Sequence, residues 1–162
     1  MREEGMAQYS ITAARHVHTS LEAAEVGLLD DSYNIIRAQH MVYSDRSFVR
    51  NNTGYRSISG TAIDHSTLHL QFRRREEDAG SATWSFTDTA LAHKEQGTFT
   101  FRRTARGVLV QYTGMTESHL PESECQDMIS RMLRRVAAKA HRIEREMTKS
   151  IAAHSSKGAE LS

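Results

Sequence analysis

Apolar or small residues recur at Cys125, Met128, Ile129, Met132, Leu133, Val136, Ala137, Ala140, Ile143 and Met147, in alternating steps of three and four. That spacing puts them along one side of an α-helix. The other side carries Gln126, Asp127, Arg131, Arg134, Arg135, Lys139, Arg142 and Arg145. The pattern predicts a helix over Leu120 to Met147, with Pro121 at its first position, where a missing N–H leaves no bond unmade. Glu122, Glu124 and Asp127 near its start, and Arg142, Arg145 and Lys149 near its end, complement the helix dipole. Such a helix is about 40 Å long and needs a large apolar surface to lie against. Only the chain before it can supply one.

Earlier segments follow a shorter period. Tyr9, Ile11 and Ala13 alternate with Ser10, Thr12 and Ala14, a first strand that Arg15 to His18 prolong. Thr19 with Glu22 has the capping-box spacing, and Leu21, Ala24, Val26, Leu28 and Leu29 predict a short helix ending near Asp30 and Asp31. Ser32 to Tyr43 fits neither period and divides into a turn or short helix and then a strand. Phe48 and Val49 precede a turn at Asn51-Asn52-Thr53-Gly54. Tyr55 to Ile63 and Thr67 to Arg73 are strands flanking Asp64-His65-Ser66, with Leu68, Leu70 and Phe72 on one face and Thr67, His69 and Gln71 on the other. Ala82 to Leu91 carries Trp84 and Phe86. Gly97 to Arg103 directs Phe99 and Phe101 inward, and Gly107 to Gly114 carries Val108, Val110 and Tyr112, a hairpin across Thr104 to Arg106. The predicted order is strand, helix, an antiparallel meander of some six strands, and one long helix.

Composition narrows the class. The chain of 162 residues is expected to form one domain over residues 8–148, with flexible termini at 1–7 and 149–162. A formal charge of +1 implies neither a polyanionic nor a membrane-surface partner, and no nucleic-acid partner is expected. The single cysteine excludes an internal disulfide. No stretch reaches the about 18 apolar residues of a membrane span, and Met1 to Ser10 lacks a signal-peptide core. The expectation is a cytoplasmic protein without an integral membrane segment.

An apolar sheet face must be buried, and a curved sheet around one helix leaves either aromatic core or a pocket. This order resembles the helix-grip arrangement of the START-like (SRPBCC) superfamily, which includes lipid-transfer domains, Bet v 1 allergens, polyketide cyclases and coenzyme Q-binding proteins. The resemblance rests on the strand Tyr9 to His18, the capped Leu21 to Asp30 segment, the Thr98 to Tyr112 hairpin and the His119-Leu120-Pro121 lead into the terminal helix. It implies an α+β fold, a curved antiparallel sheet wrapped around a long C-terminal helix, holding a small hydrophobic or amphipathic ligand between them. The expected lining is Leu70, Trp84, Phe86, Phe99, Phe101 and Tyr112 from the sheet, with Met128, Met132 and Val136 from the helix. Tyr112, His69 or Tyr55 would orient the ligand. The alternatives are a cyclase- or dehydratase-type enzyme, with Tyr112 or His69 as acid or base, and a non-catalytic interaction module or homodimer.

Other chemistry finds less support. His16 and His18 share a strand face with Glu22 nearby, yet the glycine spacing of a cupin is missing, so no metal is expected. No cofactor fingerprint, phosphate loop or nucleophile elbow is present, and no cofactor is expected. Cys125 sits where a helix dipole lowers a thiol pKa, but also within the apolar stripe, where cysteine is a small hydrophobe. Arg73-Arg74-Arg75 and Arg102-Arg103 with Arg106 form basic clusters near hairpin ends that could hold phosphate or anionic lipid headgroups if those ends are neighbours, while Glu76, Glu77 and Asp78 neutralise the first cluster locally. Among seven methionines, Met128, Met132 and Met147 lie on the helix face toward the sheet, where flexible thioethers suit either core or a variable guest.

Overall fold

Alternation over most of the chain is realised, among the described residues, as one sheet of seven antiparallel strands, the first in the chain pairing with the last and the others following in reverse chain order. The structure, a computed structural model, describes residues 6–50, 53–73 and 76–161, and the side chains of these except 47–50, 53–55 and 153–161. In chain order the elements are β1 (Ala7–Val17), α1 (Leu21–Ala38), β2 (Val42–Arg50), β3 (Thr53–Thr61), β4 (Thr67–Phe72), β5 (Ala79–Asp88), β6 (His93–Thr104), β7 (Gly107–Ser118) and α2 (Glu122–Leu161). The expected turn residues Asn51 and Asn52, like Arg74 and Arg75, lie outside the described residues, and so does the Tyr55 side chain.

One face of the sheet is apolar. Ile11, Ile58, Leu68, Leu70, Trp84, Phe99, Phe101, Val110 and Tyr112 are all buried in a single core. Full burial of a large apolar side chain contributes about 1.5–3 kcal/mol, so this face drives the sheet onto its cover. The cover differs from the expected lone helix. α2 lies along β1, β7 and α1, while α1 itself lies over β4, β6 and β7. The helices meet closely at Gly27, where a Cβ would come within 2.7 Å of the Val136 carbonyl oxygen and 3.2 Å of the Ala140 nitrogen.

α1 runs as one helix through the stretch expected to break. Asp31 is 1% exposed and faces α2, where Arg135 Nε approaches to 2.9 Å and Lys139 Nζ to 3.2 Å. A pair of acids that looks like a turn is therefore an interhelix clamp, joined at its rim by Arg142 on Asp30 at 3.2 Å. Ser32 fits the buried face by donating to the Leu28 carbonyl within its own helix. The N-cap is Ser20, not Thr19: its hydroxyl accepts from the Ala23 N–H at 3.1 Å and donates to Glu144 of α2 at 2.7 Å. The partner completing this cap is thus distant in sequence, and Glu22 is not needed for it. At the other end His40 takes a left-handed φ of 53°, and the Met41 N–H closes the helix on the Ile36 carbonyl.

α2 begins one residue later than expected. Pro121 stands just outside it and its carbonyl accepts from the N–H of Glu124 and Cys125. The helix then continues beyond Met147, through the predicted tail, to Leu161. No described helix is long and apolar enough to cross a membrane.

Candidate functional site

The expected lining residues come together, and the polar groups among them were not all foreseen. Leu70, Trp84, Phe86, Phe99, Phe101, Tyr112, Met132 and Val136 belong to one buried cluster, whereas Met128, half-buried on α2, is not part of it. The rings touch in series. Trp84 stacks on Phe86 at 6.1 Å and meets Phe99 edge-on at 5.9 Å, and Phe99 lies 4.9 Å from Tyr112.

Tyr112 occupies a notch made for it. Its inward neighbour on β7 is Gly114, which pairs with Gly97 of β6. A Cβ on Gly97 would lie 2.5 Å from the Tyr112 hydroxyl, and one on Gly114 would lie closer still. Two absent side chains let the phenol lie along the sheet, its oxygen directed to where Glu95 and Thr116 form the next pair. That hydroxyl has no hydrogen-bond partner among the described residues, and neither has the Thr116 Oγ1. Both residues are 1% exposed. Burial pushes the Tyr112 phenol above its usual range and the Glu95 carboxylate pushes it further, so it is a proton donor and not a base near neutrality.

Glu95 belongs to a closed chain of bonds. Trp84 Nε1–H donates to its Oε2 at 3.0 Å, and His93 Nε2 lies 2.8 Å from its Oε1. His93 Nδ1 lies 2.8 Å from Ser118 Oγ, which also accepts from the Leu120 N–H at 3.1 Å. With Nε2 donating and Nδ1 accepting, every one of these groups is satisfied, an assignment made from the bonding pattern. Leu120 leads into α2, and its carbonyl accepts from the Tyr9 hydroxyl at 3.1 Å. Cys125 is buried there too. Burial raises its thiol pKa, with Glu95 and Glu124 adding to it against a bond from Ser118, so the lowering expected of the helix dipole does not prevail.

His93 and Glu95 were missed because β6 was started at Gly97. Counting back in twos from Phe101 and Phe99 through Gly97 reaches Glu95 and His93, so parity alone puts them on the inner face. The same parity corrects His69. It is exposed on the outer face between inward Leu68 and Leu70, where it lines an open recess of about 500 Å³ with Thr83, Ser85, Gln96, Thr98 and Met115. It shares no space with Tyr112. His16 bonds Thr104 at 2.7 Å on an exposed surface, and among the described residues no cluster of His, Cys, Asp and Glu could hold a metal.

No family model matches the chain, and no curated protein matches it in sequence. Solved structures do match in shape. Dicamba monooxygenase bound to dicamba is similar over 94% of this chain, with 11% identity and a TM-score of 0.52. The match covers 52% of that protein, so this chain spans about half its length. TTHA0849 from Thermus thermophilus is similar over 83% of this chain and 99% of its own, with 12% identity and a TM-score of 0.50. The fold is a helix grip, a seven-stranded antiparallel sheet with a long C-terminal helix. Within the grip, the inner ends of β6 and β7 and the start of α2 hold the polar cluster, and the aromatic series leads up to it.

Proposed function

We propose that this helix-grip domain binds a small hydrophobic or amphipathic molecule between its sheet and α2, with the polar end of the guest received by Tyr112 and Thr116. The carrying observation is the pair of buried hydroxyls on one strand that have no partner among the described residues, at the junction of the aromatic series and the polar cluster. A buried hydroxyl without a partner costs about 1–3 kcal/mol, and an oxygen on a guest removes that cost. Leu70, Trp84, Phe86, Phe99 and Phe101 offer the guest an apolar wall, and Met128 and Met132 offer side chains that repack readily. Uptake of the neutral dye Nile red by the purified protein, and native mass spectrometry of the protein as isolated, test the reading. Absence of both dye uptake and a copurified compound would sink it.

A second reading, acid–base catalysis on the guest, is favoured by the Ser118, His93 and Glu95 chain beside Tyr112. A carboxylate in a water-poor site with a phenolic donor nearby suits proton removal next to a carbonyl. Deuterium incorporation into 2-undecanone in heavy water, lost in Glu95→Gln, is the expected signature; no exchange above the protein-free rate removes the enzymatic reading and leaves binding intact.

A further inference from the structure

The charge of the polar cluster decides what kind of head group can sit there. Each orphan hydroxyl has a proton to donate, and both belong to the inner face of β7, with Gly114 between them. The groups around them are Glu95, with both oxygens already bonded, His93, held between Glu95 and Ser118, and Cys125, which is buried under the first turn of α2. No described lysine or arginine faces this spot. On α2, Arg135 and Lys139 pair with Asp31 of α1, and Arg142 pairs with Asp30. An anionic head group beside Tyr112 would therefore meet the Glu95 carboxylate with no countercharge. An uncharged oxygen meets two donors.

We propose, on the ligand-binding reading above, that the interior selects uncharged oxygen-bearing guests with apolar tails, ketones or alcohols, and rejects the corresponding carboxylates. Recognition is then by two hydrogen bonds from Tyr112 Oη and Thr116 Oγ1, and rejection is by Glu95. Fatty acids and other anionic lipids are excluded as a class.

Three probes of one chain length separate the possibilities: 2-undecanone, 1-undecanol and undecanoate, each competing with Nile red at pH 8, where the acid is fully ionised. The ketone and alcohol are expected to compete, and the carboxylate to bind at least about 30-fold more weakly, the size of a close like-charge repulsion inside a protein. Glu95→Gln is expected to bring the carboxylate within about threefold of the ketone, since it removes the charge and keeps the shape. Tyr112→Phe with Thr116→Val is expected to weaken the ketone about tenfold, because it removes two donors and little volume. Undecanoate binding as tightly as the ketone, or a preference unchanged in Glu95→Gln, overturns the proposal while uptake of the dye keeps the binding reading. Failure of Nile red and all three probes overturns both. Should Glu95→Gln not fold, as judged by circular dichroism, the Tyr112 and Thr116 variants decide: a ketone affinity they do not change overturns the proposal.

Discussion

Removing the Tyr112 hydroxyl should move stability and binding in opposite directions. In the empty protein the hydroxyl is 1% exposed within its residue, raised in pKa by burial, and bonded to nothing described. It therefore carries a desolvation cost of about 1–3 kcal/mol with no return. Tyr112→Phe keeps the ring, its 4.9 Å contact with Phe99 and its fit over Gly97 and Gly114. The variant should gain about 1–2 kcal/mol. For a chain of this size each kcal/mol shifts Tm by roughly 2–4 °C, so a rise of about 2–8 °C is expected. The measurement is thermal and urea unfolding of protein stripped of copurified compounds on a hydrophobic resin. The same variant should bind 2-undecanone less tightly, since the guest loses one of its two donors. If the stripped Phe variant is instead less stable by 1 kcal/mol or more, the hydroxyl has a partner in the empty protein, such as a held water, and the case for a guest at this spot falls.

Gly97→Ala should destabilise by about 1–3 kcal/mol, because the new Cβ meets both the Tyr112 hydroxyl at 2.5 Å and the Thr113 carbonyl oxygen at 2.7 Å, and the latter is backbone that cannot swing aside. A neutral result in urea unfolding would deny that the glycine pair makes room for the phenol. Asp31→Asn should cost about 2 kcal/mol in the same assay, less than a fully enclosed pair would, because the Arg135 side chain stays 49% exposed; no loss would mean the α1–α2 clamp does not hold the helices. On the surface, the hydrogen bond from Arg56 holds the Asp45 carboxyl below its ordinary range, helped by the bond from Tyr33. A depressed folded value gives stability that is present above the ordinary carboxylate pKa and lost as pH falls through the folded one. Asp45→Asn should then cost under about 1 kcal/mol at pH 7, given the solvent around the pair, and progressively less as the pH falls through the acid range. A cost that does not shrink on acidification would contradict this.

The fold was readable wherever burial and polarity followed a single period. Leu68, Leu70 and Phe72 alternate with Thr67, His69 and Gln71, and the α2 stripe keeps steps of three and four from Cys125 to Ala140, with most of its members buried. It became unreadable where a polar residue sits on the inner face. Asp31 and Ser32 looked like a helix stop because nothing nearby in sequence neutralises them; their solution lies on α2, more than a hundred residues away, or inside the helix itself. His93 and Glu95 were passed over for the same reason, since their burial depends on Ser118 and Trp84 on neighbouring strands. Tyr112 shares the parity of Val108 and Val110 and is buried with them, while parity sets His69 on the outer face.

The contrast within the polar cluster argues for a guest more strongly than burial alone. Glu95, His93, Ser118, Trp84 and the Leu120 N–H account for one another's hydrogen bonds, as buried polar groups in proteins normally do. Against that background two hydroxyls on the same face of β7, separated by a single inward glycine, have no partner among the described residues. Phenylalanine at 112 and valine at 116 would fill nearly the same volume and avoid the cost of both. Unmet hydrogen bonds that scatter through a core are ordinary imperfections; two that converge beside a fully satisfied carboxylate mark the place where local rules are broken together, which is where a binding function is expected to sit.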